Sequence, residues 1–82
     1  MNVWDCVGNT PMVQISDKIY AKLETYNPTG SIKDRPISYI VNKAILSGEI
    51  KHGTTLVEAT SGNTGISLSA LGAKLCLNVL II

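Results

Sequence analysis

The sequence predicts an α/β fold assembled from parallel βαβ units, and three observations carry that expectation. Residues 54–58, Thr-Thr-Leu-Val-Glu, form a short strand-like run entered from the His52-Gly53 turn. A helical apolar pattern over 62–71 follows it. The closing run Leu75-Cys76-Leu77-Asn78-Val79-Leu80-Ile81-Ile82 is apolar apart from Asn78 and reads as a strand buried in a parallel sheet. Strand, helix and strand with tight connections make a crossover between parallel neighbours. Globular chains seldom stop inside a buried strand, because an uncovered apolar edge invites aggregation. The 82 residues are therefore expected to be the front portion of a longer protein.

The elements before this unit follow in order. Thr10-Pro11 marks a turn; residues 12–15 and 19–23 then read as two strands of a hairpin around the polar Ser16-Asp17-Lys18. Asn27-Pro28-Thr29-Gly30 is a turn in which Pro28 fixes φ and Gly30 accepts dihedrals that other residues resist. In the helix after it, Ile37, Ile40, Val41, Ala44 and Ile45 repeat at the spacing of one amphipathic face, and Gly48 is a natural stop. Ser31 and Asp34 both qualify as its N-cap. Asp34 places Pro36 nearer the tolerated first turn, and either choice leaves Lys33 at or just before the positive end. The helix over 62–71 is apolar on most sides, hence buried, with Gly72 read as its stop.

Composition narrows the function classes. A net charge of +1 with scattered lysines and arginines argues against nucleic acid or an anionic membrane surface as partner. Met1-Asn2-Val3-Trp4-Asp5 lacks the basic start and apolar stretch of a secretory signal. The closing apolar run falls far short of the roughly 20 residues that span a bilayer. A cytoplasmic protein without membrane attachment is expected. Cys6 and Cys76 have no metal-type spacing and make no disulfide framework, so two reduced thiols and no metal site are expected.

Two loops carry the chemistry. Asn27-Pro28-Thr29-Gly30-Ser31-Ile32-Lys33-Asp34-Arg35 presents an amine after a rigid turn. A nucleophilic lysine must spend time neutral; burial, the positive helix end and nearby Arg35 would each favour that, while Asp34 would oppose it. Thr60-Ser61-Gly62-Asn63-Thr64-Gly65 lies where a strand gives way to a helix, the position at which βαβ units bind ligands. Its glycines allow close backbone approach, and its hydroxyls, one amide and the helix N-terminus suit a carboxylate or phosphate. Capping of a buried helix is the plain alternative for the second loop, and a solvated surface charge the plain alternative for Lys33.

These segments resemble the signatures of the fold-type II (tryptophan synthase β-like) pyridoxal-phosphate (PLP) enzymes, above all the cysteine synthase and cystathionine β-synthase group. Residues 27–35 resemble the cofactor-lysine motif. Glu58-Ala59-Thr60-Ser61-Gly62-Asn63-Thr64-Gly65-Ile66 resembles the substrate loop, and Val7-Gly8-Asn9-Thr10-Pro11-Met12-Val13 the N-terminal stretch. All three stand in the family's order. The resemblance implies that Lys33 forms the Schiff base with PLP and acts as general base, that Asn63 hydrogen-bonds the ring 3′-oxygen, and that Thr60, Ser61 and Thr64, with Asn63, hold the amino-acid carboxylate. It implies O-acetyl-L-serine and sulfide as substrates and a homodimer when full length. Residues 5–26 would pack on a second domain, and 27–82 would begin the N-terminal α/β domain. The family's glycine-rich phosphate loop and the group facing the pyridine nitrogen lie outside these residues, so the 82-residue chain alone is expected to bind PLP poorly and turn nothing over. A cystathionine β-synthase or serine/threonine dehydratase is the alternative within the fold, and a non-catalytic chain with a residual carboxylate-binding loop the alternative outside it. His52 is expected at the surface, Tyr20, Tyr26 and Tyr39 as packing residues, Trp4 as an N-terminal anchor and Glu58 as a strand end.

Overall fold

The computed structural model describes residues 2–82. A short 3₁₀ turn, Val3–Cys6, opens the chain and is capped reciprocally: the Trp4 N–H donates to Asn2 Oδ1 at 2.8 Å, and the Asn2 N–H to Asp5 Oδ2 at 3.0 Å. Strands β1 (Met12–Ser16) and β2 (Ile19–Lys22) form the expected antiparallel hairpin, with Met12 opposite Lys22 and an irregularity between Gln14 and Ser16. A second 3₁₀ turn, Glu24–Tyr26, leads to the Asn27 turn and helix α1 (Asp34–Ser47). Gly48, at φ 84°, ends α1 in the left-handed conformation that glycine adopts without penalty.

Strand β3 (Thr55–Glu58), helix α2 (Asn63–Lys74) and strand β4 (Asn78–Ile81) complete the chain. β3 and β4 pair in parallel, Thr55 against Asn78 through Glu58 against Ile81, so the predicted βαβ unit is present. The hairpin and this pair are separate sheets. The core lies between the helices: Ile37 and Val41 of α1 bury against Leu68 and Leu71 of α2, flanked by Trp4, Ile50, Leu56, Leu75, Leu77 and Val79. Withdrawing each of those four side chains from water is worth about 1.5–3 kcal/mol before the cost of ordering them. Trp4 thus anchors the N-terminal turn as expected.

Four details differ from the sequence reading. The N-cap of α1 is Lys33, not Ser31 or Asp34; Ser31 instead accepts the Lys33 N–H at 3.2 Å, and Pro36 remains in the first turn. Gly72 does not stop α2. It lies inside the helix because a Cβ there would sit 2.3 Å from Val79 Cγ2, so glycine lets α2 press onto β4. The helix ends instead in a Schellman motif around Cys76 at φ 57°: the Leu77 N–H donates to Gly72 O at 2.9 Å and the Cys76 N–H to Ala73 O at 3.4 Å. β4 is shorter than the apolar run and mostly exposed, because α2 covers one face of the pair and only Val79 is half-buried. Tyr20, Tyr26 and Tyr39 are likewise exposed, since no element of these residues covers them.

Candidate active site

The lysine segment is held from inside. The Gly30 N–H donates to Asn27 O at 2.9 Å, closing the turn whose second position is Pro28. The Asp34 carboxylate, fully buried, folds back beneath the turn and accepts the Thr29 N–H at 2.6 Å and the Thr29 hydroxyl at 2.5 Å. A buried carboxylate is tolerable when donors surround it, and this one has a third, the Ser67 hydroxyl of α2, at 2.6 Å. Lys33, its neighbour in sequence, is exposed at the start of α1.

The second loop leaves β3 at Glu58, the strand end expected of it. Its backbone extends the parallel ladder by one step, the Ile82 N–H donating to Glu58 O at 2.9 Å and the Thr60 N–H to Ile82 O at 3.2 Å. Thr60 Oγ1 then accepts the Gly62 N–H at 3.2 Å. The N-cap of α2 is Gly62, and no side-chain oxygen caps the helix. Its first N–H groups and their partial positive charge are thereby left for an incoming anion. Gly65 is buried where a Cβ would meet Thr60 Cγ2 at 2.8 Å, so the loop can fold tightly over the helix start only with glycine there. Thr60 and Ser61 line an open cleft of about 460 Å³ with Gly62, Gly65, Ile66 and Ile81. Asn63 and Thr64 form the first turn of α2.

Ser67 joins the two loops. It lies one turn along α2 from Asn63, a rise of about 6 Å. Its hydroxyl, fully buried, donates to Asp34 Oδ1 and meets Thr29 Oγ1 at 3.3 Å. The residue beside Lys33 is therefore bonded to the residue one turn from Asn63, which brings the amine-bearing segment and the anion-ready helix end together. Lys33 does not line the cleft at Thr60 and Ser61.

A polar cluster that the sequence did not reveal closes the segment from outside. Glu24 takes hydrogen bonds from Arg35, Thr10 and Asn27. The Arg35 bond first, then Thr10, holds its carboxyl at about 2, well below the ordinary 4.5, and the same bond raises Arg35 above its usual value. Arg35 is thus committed to Glu24 rather than free to act on Lys33. The one sequence signal for Glu24 was its place between two motif-bearing stretches.

Residues 3–82 match the family described as pyridoxal-phosphate dependent enzyme. The chain belongs to that family. It is 50% identical over 76 residues to cysteine synthase B of Pseudomonas aeruginosa, covering 84% of this chain and 25% of that protein. It is 51% identical over 82 residues to cystathionine beta-synthase of Saccharomyces cerevisiae, covering 88% of this chain and 16% of that one. Among solved structures, O-acetyl serine sulfhydrylase isoform 3 from Entamoeba histolytica superposes with a TM-score of 0.92 at 39% identity, over 99% of this chain and 28% of that chain. The α/β arrangement seen here is that of part of a fold-type II PLP enzyme. The chain spans a quarter or less of the length of several curated relatives. Among the described residues, no helix is long and apolar enough to cross a membrane.

Proposed function

We propose that the full-length protein carrying this chain is a cysteine synthase-like enzyme that replaces the acetoxy group of O-acetyl-L-serine with sulfide, giving L-cysteine and acetate. The observation that carries the reading is the Ser67–Asp34 hydrogen bond, which ties the Lys33 segment to an uncapped helix start. Relatives named cysteine synthase in Pseudomonas aeruginosa and Aquifex aeolicus support it, at 50% and 46% identity.

The residues present suit PLP in part. An exposed primary amine matches an aldehyde, and the Asn63 amide, the neighbouring hydroxyls and the free helix N–H groups match oxyanions. The described residues hold no further glycine-rich loop for the phosphate, which in this reading is bound by residues beyond these. Lys33 would hold PLP at its aldehyde carbon, and Asn63 would donate to the ring 3′-oxygen. Bound PLP supplies an electron sink for charge developing at the substrate Cα. The chain's own residues do the rest. Thr60, Ser61 and Thr64, with Asn63 and the first N–H groups of α2, hold the substrate carboxylate and fix the direction of the Cα–H bond. The neutral Lys33 amine takes the Cα proton. The Cβ–O bond breaks with loss of acetate, hydrosulfide forms the Cβ–S bond, and the Lys33 ammonium returns the proton to Cα. The same reading has residues 5–26 docking on a second domain, residues 27–82 opening the α/β domain, and a cytoplasmic homodimer. A cystathionine β-synthase is the second reading, favoured by the equally similar yeast relative; it keeps every role above and changes the nucleophile.

The test is to incubate the full-length protein with PLP, reduce with borohydride and map the label by mass spectrometry, then supply O-acetyl-L-serine and sulfide. Selective labelling of Lys33 and formation of cysteine are expected. Labelling elsewhere, or none, would overturn the reading.

A further inference from the structure

The N-terminal stretch 7–13 and Glu24 have no part in the chemistry above, yet in the fold they meet the lysine segment at both of its ends. Asn27, its first residue, donates from Nδ2 to Glu24 Oε1 at 3.0 Å and to the Glu24 carbonyl at 3.1 Å. Arg35, its last, donates from Nε to the same Oε1 and from a terminal nitrogen to Oε2 at 3.1 Å. Thr10 donates to Oε2 and accepts from Arg35 at 3.2 Å. The Gly8 N–H closes the ring onto Asn27 Oδ1 at 2.9 Å, and Lys22 Nζ donates to the Thr10 carbonyl.

We propose that Glu24 is a positioning residue for Lys33: one carboxylate clasps both ends of the amine-bearing segment, Asn27 before it and Arg35 after it, and so sets where the amine is presented. The inference rests on the reading of Lys33 as the PLP-holding amine. A segment anchored at its two ends by one group, and beneath its middle by Asp34, has little backbone freedom left to lose when a ligand binds. Charge-assisted and forked bonds from a guanidinium are the strong kind, and the accepting side of this clasp is shielded: the Glu24 side chain is 16% exposed, Asn27 4% and Thr10 5%, while Arg35 is 40% exposed. Glu24 touches neither the loop at 60–64 nor α2 through any of these bonds. Its effect should therefore fall on the lysine and spare the carboxylate cradle.

The test compares Glu24→Gln and Thr10→Val with wild type in the full-length protein, stripped of PLP and then resupplied with it. Glutamine keeps the shape but sets an amide donor against the Arg35 donors; valine removes one hydroxyl from the clasp. Borohydride-trapped PLP at Lys33 is expected to form about tenfold more slowly in Glu24→Gln and at an intermediate rate in Thr10→Val, while the KM for the amino acid stays within about twofold. Trapping at the wild-type rate with only a lower unfolding temperature would overturn the proposal, as would a rise in KM matching the loss of trapping. Should Glu24→Gln fail to fold, Thr10→Val carries the same two readouts. A wild-type protein that never labels at Lys33 would defeat the underlying reading and this inference with it, and is distinguishable because it needs no variant.

Discussion

Lys33 and Asp34 are neighbours with opposite fates, and the chemistry of their end groups explains why. A carboxylate only accepts, so three converging donors satisfy Asp34 in full burial; the amine of Lys33, which only donates when charged, stands exposed, as the proposed reaction with an aldehyde requires. The amine was legible in the sequence because a proline-glycine turn and a polar helix start announce it locally. The burial of Asp34 was not, since its partner Ser67 lies 33 positions away and nothing local marks it. The Glu24 clasp was illegible for the same reason: Thr10, Glu24 and Arg35 converge only once the hairpin has formed. It does carry a signature in solution. Because Arg35 and Thr10 hold the Glu24 carboxyl at about 2 rather than 4.5, the folded state binds that proton less readily than the unfolded chain. The stability Glu24 contributes is complete above pH 4.5 and drains as pH falls toward 2, while Arg35, its pKa raised, stays charged throughout. The gap in denaturant midpoint between wild type and Glu24→Gln should therefore narrow over that window. A gap constant from neutral pH to pH 2 would show that the carboxylate charge is not what the clasp uses.

Among the elements, α2 shows how a correct pattern can carry a wrong reason. Gly72 looked like a helix stop because glycine usually is one near the end of an apolar period. It is instead the contact point with β4, and the helix runs on to Lys74. Gly72→Ala should cost about 1–3 kcal/mol by forcing β4 away, with part of the loss returned in Gly72→Ala/Val79→Ala, where the opposing methyls are gone. Urea denaturation of the four corners of that cycle measures it, and purely additive costs would deny the contact. The true stop, Cys76, holds a left-handed conformation that a Cβ disfavours, and its side chain is exposed. Cys76→Gly should accordingly raise stability by up to about 1 kcal/mol, read as a higher denaturant midpoint with unchanged slope. No change, or a loss, would mean that the thiol makes up for the strain. The βαβ order itself was legible because strand, helix and strand each announce themselves within a few residues; the packing glycine was not, because its reason lies on the neighbouring strand.

At the scale of the whole molecule the described residues form an elongated body, 50 × 28 × 19 Å, with a radius of gyration of 14.5 Å against about 12 Å for a compact domain of this length. Both sheets have two strands, a number that is marginal in water without further cover. Met12, Ile15 and Ile19 on the hairpin, Val57 and Leu80 on the parallel pair, and Leu46 on α1 are all exposed. The apolar closing run therefore predicted the kind of strand correctly and its burial incorrectly: α2 covers one face of the parallel pair, and among the described residues no element covers the other. The 82-residue chain studied alone should then behave differently from the full-length protein. Its small four-residue core and open strand edges should make it bind an apolar dye and associate as concentration rises, with broad, weakly cooperative unfolding. Its labelling by PLP and borohydride at Lys33 should be weak, because the described residues hold no glycine-rich loop for the phosphate beyond the one at 60–65 assigned to the substrate carboxylate. Sedimentation across a concentration series, dye fluorescence and mapped labelling, each run beside the full-length protein, decide the matter. A monodisperse isolated chain that unfolds sharply and labels at Lys33 as strongly as the full-length protein would mean that the amine segment and the anion-ready helix end are a sufficient site by themselves.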